Sequence, residues 1–128
     1  MPHTTVTYTE ELAESEAFDF ENFADDLHSA LVTIAGAKAE ACRTRFTGTE
    51  DSWFIADGDE EDFQAVHVEV AIKAGRTDEV RSELSRAVLG LIRKNLKRTP
   101  EFEVYLSVEV RDIDPVGYVS HVEPRQDA

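Results

Sequence analysis

The chain has 128 residues, 41% of them hydrophobic, which suits one domain built on one core. Twenty-seven acidic residues against thirteen basic ones give a net charge of −14, and such a surface repels nucleic acid and anionic membranes alike. No apolar run of signal-peptide type opens the sequence and none approaches ~18–20 residues, so a soluble cytoplasmic protein is expected; the lone Cys42 rules out an internal disulfide and fits a reducing compartment.

Met1-Pro2-His3 leads directly into a strand over 2–9, with Val6 and Tyr8 alternating against Thr5, Thr7 and Thr9. Glu10 to Ala17 reads as an acidic loop or a first helical turn. Phe20, Phe23, Ala24, Leu27, Ala30, Leu31 and Ile34 then recur at helical spacing, and Gly36 supplies the stop. Residues 39–47 form a second expected strand, with Ala39, Ala41, Arg43 and Arg45 on one face and Cys42, Thr44 and Phe46 on the other. From 48 to 62, Trp53-Phe54-Ile55 stands between turn-formers as a short extra strand beside an acidic loop.

The second half is plainer. Val66, Val68, Val70 and Ile72 alternate with His67, Glu69, Ala71 and Lys73 as a strand over 66–73. Gly75-Arg76-Thr77 breaks it, and Thr77 is a good N-cap followed by Asp78 and Glu79 in the first turn. Val80, Leu84, Ala87, Val88, Leu91, Ile92 and Leu96 share one helical face. Arg93, Lys94, Lys97 and Arg98 occupy the last turns, and Pro100 marks the end. Phe102 to Val110 alternate as a further strand. In the tail, 115–128, Gly117 to Val122 suggest one more strand and the last six residues fray.

Strand, helix, strand thus occurs twice, over 2–47 and 65–111, within a single domain. The fold expected is α+β: a tandem β-α-β pseudo-repeat giving a ferredoxin-like four-stranded sheet with both helices on one face. Right-handed crossovers make each unit's strands parallel. With the two first strands central and antiparallel, the start of 2–9 lies beside the end of 66–73, and Pro2 comes near Gly75-Arg76. His67, Glu69, Ala71, Lys73, Tyr105, Ser107 and Glu109 fall on the other face. That face is either washed by solvent or buried against symmetry mates, and an oligomer is expected.

Chemistry could begin at Pro2. Removal of the initiator methionine leaves a secondary amine, and an ordinary α-amino group titrates near ~7.7–8.0. Burial and neighbouring guanidinium charge disfavour its cation, which is what a general base that later returns the proton requires. Arg43, Arg45 and Arg76 are the next candidates. In so acidic a chain a strand arginine most simply makes a surface ion pair, yet arginine also holds carboxylates in a bidentate fork and steadies a developing oxyanion. Trp53 and Phe54 serve either packing or a pocket wall. His3, His28, His67 and His121 lack metal-ligand spacing; His28 reads as solvent-facing and His67 as a sheet residue. No phosphate loop, GxSxG elbow or HExxH is present, and neither metal nor cofactor is expected. The acid excess is either plain solvation or adaptation to a salt-rich cytoplasm, where at ~1 M salt the Debye length falls to about 3 Å.

Met1-Pro2-His3, Arg43-Thr44-Arg45, Trp53 followed by Ala56-Asp57-Gly58, Ala65-Val66-His67 and Gly75-Arg76-Thr77 together resemble the 5-carboxymethyl-2-hydroxymuconate isomerase family of the tautomerase superfamily. The likeness covers residues 2 to about 115. It implies a cofactor-free homotrimeric isomerase acting on a small anionic carboxylate in aromatic-compound (homoprotocatechuate) catabolism. By position, Pro2 matches the proton shuttle, and Arg43 and Arg76 match the arginines that bind carboxylates and polarise the 2-oxo group. Arg45 and Trp53 are carried over as substrate contacts. The Asp59–Asp62 acidic insertion and the tail after Pro115 depart from the family pattern and border the expected pocket. The rival reading is a non-catalytic ferredoxin-like binding module, which needs neither an N-terminal proline nor a turn arginine.

Overall fold

The structure, a computed structural model, describes residues 2–50 and 63–127. Trp53 and the short strand and acidic loop expected around it lie outside the described residues. The chain runs β1 (His3–Thr9), α1 (Glu11–Glu14), α2 (Phe20–Ala35), a 3₁₀ turn (Ala39–Ala41), β2 (Arg43–Thr49), β3 (Phe63–Lys73), α3 (Asp78–Lys94) and β4 (Glu103–Ile113). The sheet order is β2-β1-β3-β4. β1 and β2 are parallel, β3 and β4 are parallel, and the two central first strands run antiparallel. This is the α+β pseudo-repeat expected, with two main helices over one face.

Periodicity explains the core. Val66, Val68, Val70 and Ile72 turn inward from β3, and all are buried. Against them α2 sets Phe23, Leu27, Leu31 and Ala35, and α3 sets Leu84, Val88 and Ile92, each series spaced by four so that it forms one ridge. Each fully buried large side chain contributes about 1.5–3 kcal/mol. At the far end of β1 from Pro2, Phe20 stacks against Tyr8, Phe18 and Phe46 at 4.7, 4.9 and 5.3 Å between ring centroids.

Three features depart most from the sequence expectation; β3 and β4 also run longer than expected, from Phe63 and to Ile113. The strand expected from residue 39 starts at Arg43, because Ala39–Ala41 winds into a 3₁₀ turn in which the Cys42 N–H donates to Ala39 O. The second long helix ends at Lys94 rather than Arg98. There Leu96 bridges to Phe18, the Lys97 N–H donates to Ala17 O at 2.7 Å, and the Asp19 N–H donates to Asn95 O. Those bonds tie the two pseudo-repeats together and outcompete another helical turn. The expected tail strand over Gly117–Val122 does not form; residues 118–127 are irregular.

Candidate active site

β1 begins between the start of β2 and the end of β3, with His3 opposite Arg43 on one side and Ala71 on the other. Pro2, the residue before it, is buried, and its carbonyl accepts from the Arg43 N–H at 3.2 Å. Two residues past β3, Gly75 turns the chain at φ 113°, a conformation open to glycine. The chain start, Arg43 and the Gly75-Arg76 turn thus meet at one end of the sheet, although Pro2 and Arg76 lie far apart in sequence.

Arg76 is held firmly. Its Nε and Nη2 donate to Ala35 O at 2.9 and 2.7 Å, and its Nη1 donates to Lys73 O at 2.9 Å. Ala35 closes α2, whose last carbonyls have no partner within the helix and carry its negative dipole end. The guanidinium therefore joins the end of α2 to the end of β3. Three of its five N–H groups are engaged, leaving two. Sequence reasoning missed this capping role, and the signal for it was modest: Gly36, the left-handed C-cap of α2 at φ 68°, marks the helix end the guanidinium reaches.

Arg43 is exposed and folds its Nη1 back onto Glu40 O at 2.8 Å and Cys42 O at 3.2 Å. Arg45 is exposed one row along, opposite Thr5. By alternation both project from the same sheet face as His3 and Thr5. Among the described residues no carboxylate pairs with Arg43, Arg45 or Arg76; the ion pairs are Arg81–Asp78, Lys94–Asp26, Arg111–Glu69 and His121–Glu123. In a chain this acidic, the guanidiniums of Arg43 and Arg45 on the open face and of Arg76 against the end of α2 bring positive charge to this end of the sheet. Burial pushes the Cys42 thiol beside them upward, so it stays a neutral packing residue. Trp53 is outside the described residues, so it is not located relative to this corner.

One histidine departs from the sequence expectation and another follows it. His28 is half-buried, and its Nε2 shares a hydrogen bond with Thr44 Oγ1 at 2.7 Å rather than facing solvent. His67 does sit in the sheet, with Nδ1 2.6 Å from Ser107 Oγ. Across β3 and β4, His67, Glu69 and Glu109 bring one ligand atom each within 4.8 Å of one another. Spacing along the chain cannot announce that group, because register assembles it from two strands. Two of its three members are already engaged, Glu69 by Arg111 at 3.1 Å and His67 by Ser107.

Among the described residues no helix is long and apolar enough to cross a membrane. The family model for 5-carboxymethyl-2-hydroxymuconate isomerase matches residues 2–126. No curated protein sequence matches the chain. Among solved structures, a 5-carboxymethyl-2-hydroxymuconate isomerase from Deinococcus radiodurans R1 is similar at 22% identity and a TM-score of 0.75, over 95% of this chain and 90% of that one. A 5-carboxymethyl-2-hydroxymuconate delta-isomerase is similar at 16% identity and a TM-score of 0.69, over 96% and 89%. The Q0 fused 4-OT wild-type symmetric trimer follows at 20% identity and 0.65, over 87% and 85%. With its four-stranded pseudo-repeat and a family match spanning nearly its whole length, the chain belongs to the 5-carboxymethyl-2-hydroxymuconate isomerase family, isomerases of the tautomerase superfamily.

Proposed function

We propose that the protein is a cofactor-independent isomerase that converts a 2-hydroxydienoate bearing two or three carboxylates to its 2-oxo-3-ene isomer. Pro2, freed of Met1, takes the proton from the 2-hydroxyl and delivers it to carbon 5. The O–H bond breaks, the C5–H bond forms, and the two double bonds of the diene become one carbonyl and one alkene at C3–C4. Arg43 and Arg76 hold carboxylate and steady the enolate oxygen, with Arg45 and Trp53 as further substrate contacts. The setting is a homotrimer in the cytoplasm, in the breakdown of aromatic compounds.

One observation carries the reading. Pro2 is buried and hydrogen-bonded to Arg43 at a corner whose arginines have no carboxylate partner among the described residues. Burial and nearby positive charge both disfavour the cation of an amine, which is the direction a general base at that position needs. The test is Pro2→Ala, with Met1 removal checked by intact mass. Turnover is expected to fall by about 10²–10⁴ while the circular dichroism spectrum is retained. Ketonisation at the wild-type rate would refute the shuttle.

The bonding of Arg76 favours a second reading within the same chemistry. With three donors committed to Ala35 and Lys73, it offers a substrate less than a full fork. A dienol with fewer carboxylates would then be preferred, and comparing kcat/KM for mono-, di- and tricarboxylate dienols decides between the two.

A further inference from the structure

Beyond β4 the tail is irregular and mostly in solvent, with Val116 91%, Val119 89% and Val122 77% exposed. Tyr118 breaks that pattern. It is half-buried, its hydroxyl lies 2.5 Å from His3 Nε2, and its ring meets the imidazole edge-on with centroids 5.5 Å apart. The two residues are 115 positions apart in the chain. β4 is the sheet's edge and β1 lies two strands away, so the tail must cross β3 to make this contact. The Asp114 carboxylate accepts from the Val116 N–H at 3.0 Å and turns the chain for that crossing. In the row Arg43, His3, Ala71, Arg111 that register lays across this face, β3 contributes the short side chain of Ala71.

We propose that Tyr118 is a positioning residue for the reaction: through His3 it fixes the C-terminal segment against the start of β1, so that the tail covers the chain start beside Pro2 on this face. This rests on the reading of Pro2 as the acid/base. A tail held there excludes water from the chain start and keeps His3, the residue next to the base, in one orientation. The titratable and charged groups gathered at this end are His3 on β1, Cys42 just before β2 and Arg43 at its start, Lys73 at the end of β3, Arg76 in the following turn, Arg111 and Asp112 on β4, and Asp114 and Tyr118 beyond it. Releasing the tail rehydrates the amine, which favours its cation.

The experiment compares the full-length wild type, Tyr118→Phe, Tyr118→Ala and Pro2→Ala, using 2-hydroxymuconate as the probe substrate. Tyr118→Phe removes one hydrogen bond and keeps the ring, so kcat/KM is expected to fall about fivefold, chiefly through kcat. Tyr118→Ala falls further. In both, the acidic limb of the kcat/KM profile moves to higher pH while the melting temperature holds, which a purely structural role would not produce. Wild-type kcat/KM and an unmoved limb in both Tyr118 variants, with Pro2→Ala inactive, would overturn the positioning role alone. A fully active Pro2→Ala would overturn the acid/base reading and this proposal with it.

Discussion

Arg76 has two tasks that a substitution can separate. Removing its side chain leaves Ala35 O and Lys73 O, both at element ends, without their charged donor. A hydrogen bond to a charged group is worth about 1.5–3 kcal/mol, so Arg76→Ala is expected to lose roughly that in urea denaturation. Steady-state kinetics should show KM raised and kcat lowered together; unchanged kinetics beside lowered stability would leave Arg76 as a helix cap and nothing more. Gly75 gives an independent handle on the same turn. A Cβ there meets nothing within 4 Å, so the obstacle is its φ of 113° and not space. Gly75→Ala is expected to cost about 1–3 kcal/mol and, by shifting the turn, to mimic part of the Arg76 kinetic defect. Arg76 was legible as a candidate because topology alone carries it toward Pro2. Its division of donors was not, since the carbonyl it grips lies 41 residues away at the end of another element.

Between elements, the first half of α2 is joined to the end of α3 by a small polar cluster. The Asp26 carboxylate accepts from Lys94 Nζ at 3.0 Å and Asn95 Nδ2 at 3.4 Å, while Asn22 Nδ2 donates to Asn95 Oδ1 at 2.7 Å. The bond from Lys94, then that from Asn95, holds Asp26 below its ordinary value of 3.8. A carboxylate whose pKa is lowered by folding stabilises the native state above its unfolded pKa and loses that contribution as pH falls through the folded value. Asp26→Asn should therefore melt below wild type at pH 7, and the gap should close as the pH is taken under 3.8. A gap that persists at low pH would assign the effect to the geometry of the cluster and not to its charge. Helices and strands were readable because buried residues repeat at the period of each element. Joints such as Phe18–Leu96 and the 3₁₀ turn at Ala39–Ala41 were not. They are decided by single backbone bonds between distant segments, which leave no period in the sequence.

At the scale of the whole molecule, strand order and direction followed from two repeats and the handedness of their crossovers, and they put Pro2 at the Arg76 end before any contact was known. What the open face meets was not legible, because His67, Glu69, Tyr105 and Glu109 alternate with the core whether water or a symmetry mate lies beyond them. If the proposed trimer covers that face, the mass in solution is three times the 14.3 kDa chain, and sedimentation equilibrium checks it. Salt then acts on this assembly in two opposed ways. It weakens surface pairs such as Arg81–Asp78 and Lys94–Asp26. It also screens the repulsion among 27 acidic groups set against 13 basic ones. From about 0.1 M to about 1 M the Debye length drops from ~10 to ~3 Å, shorter than most separations between surface charges but close to the length of a pair already in contact. Repulsion is therefore screened more completely than pairing, and bringing three chains of charge −14 together sharpens the difference. Both the melting temperature and the trimeric fraction should rise with KCl over that range; a flat or falling melting curve would show that the acid excess is ordinary solvation and not adaptation to a salt-rich interior.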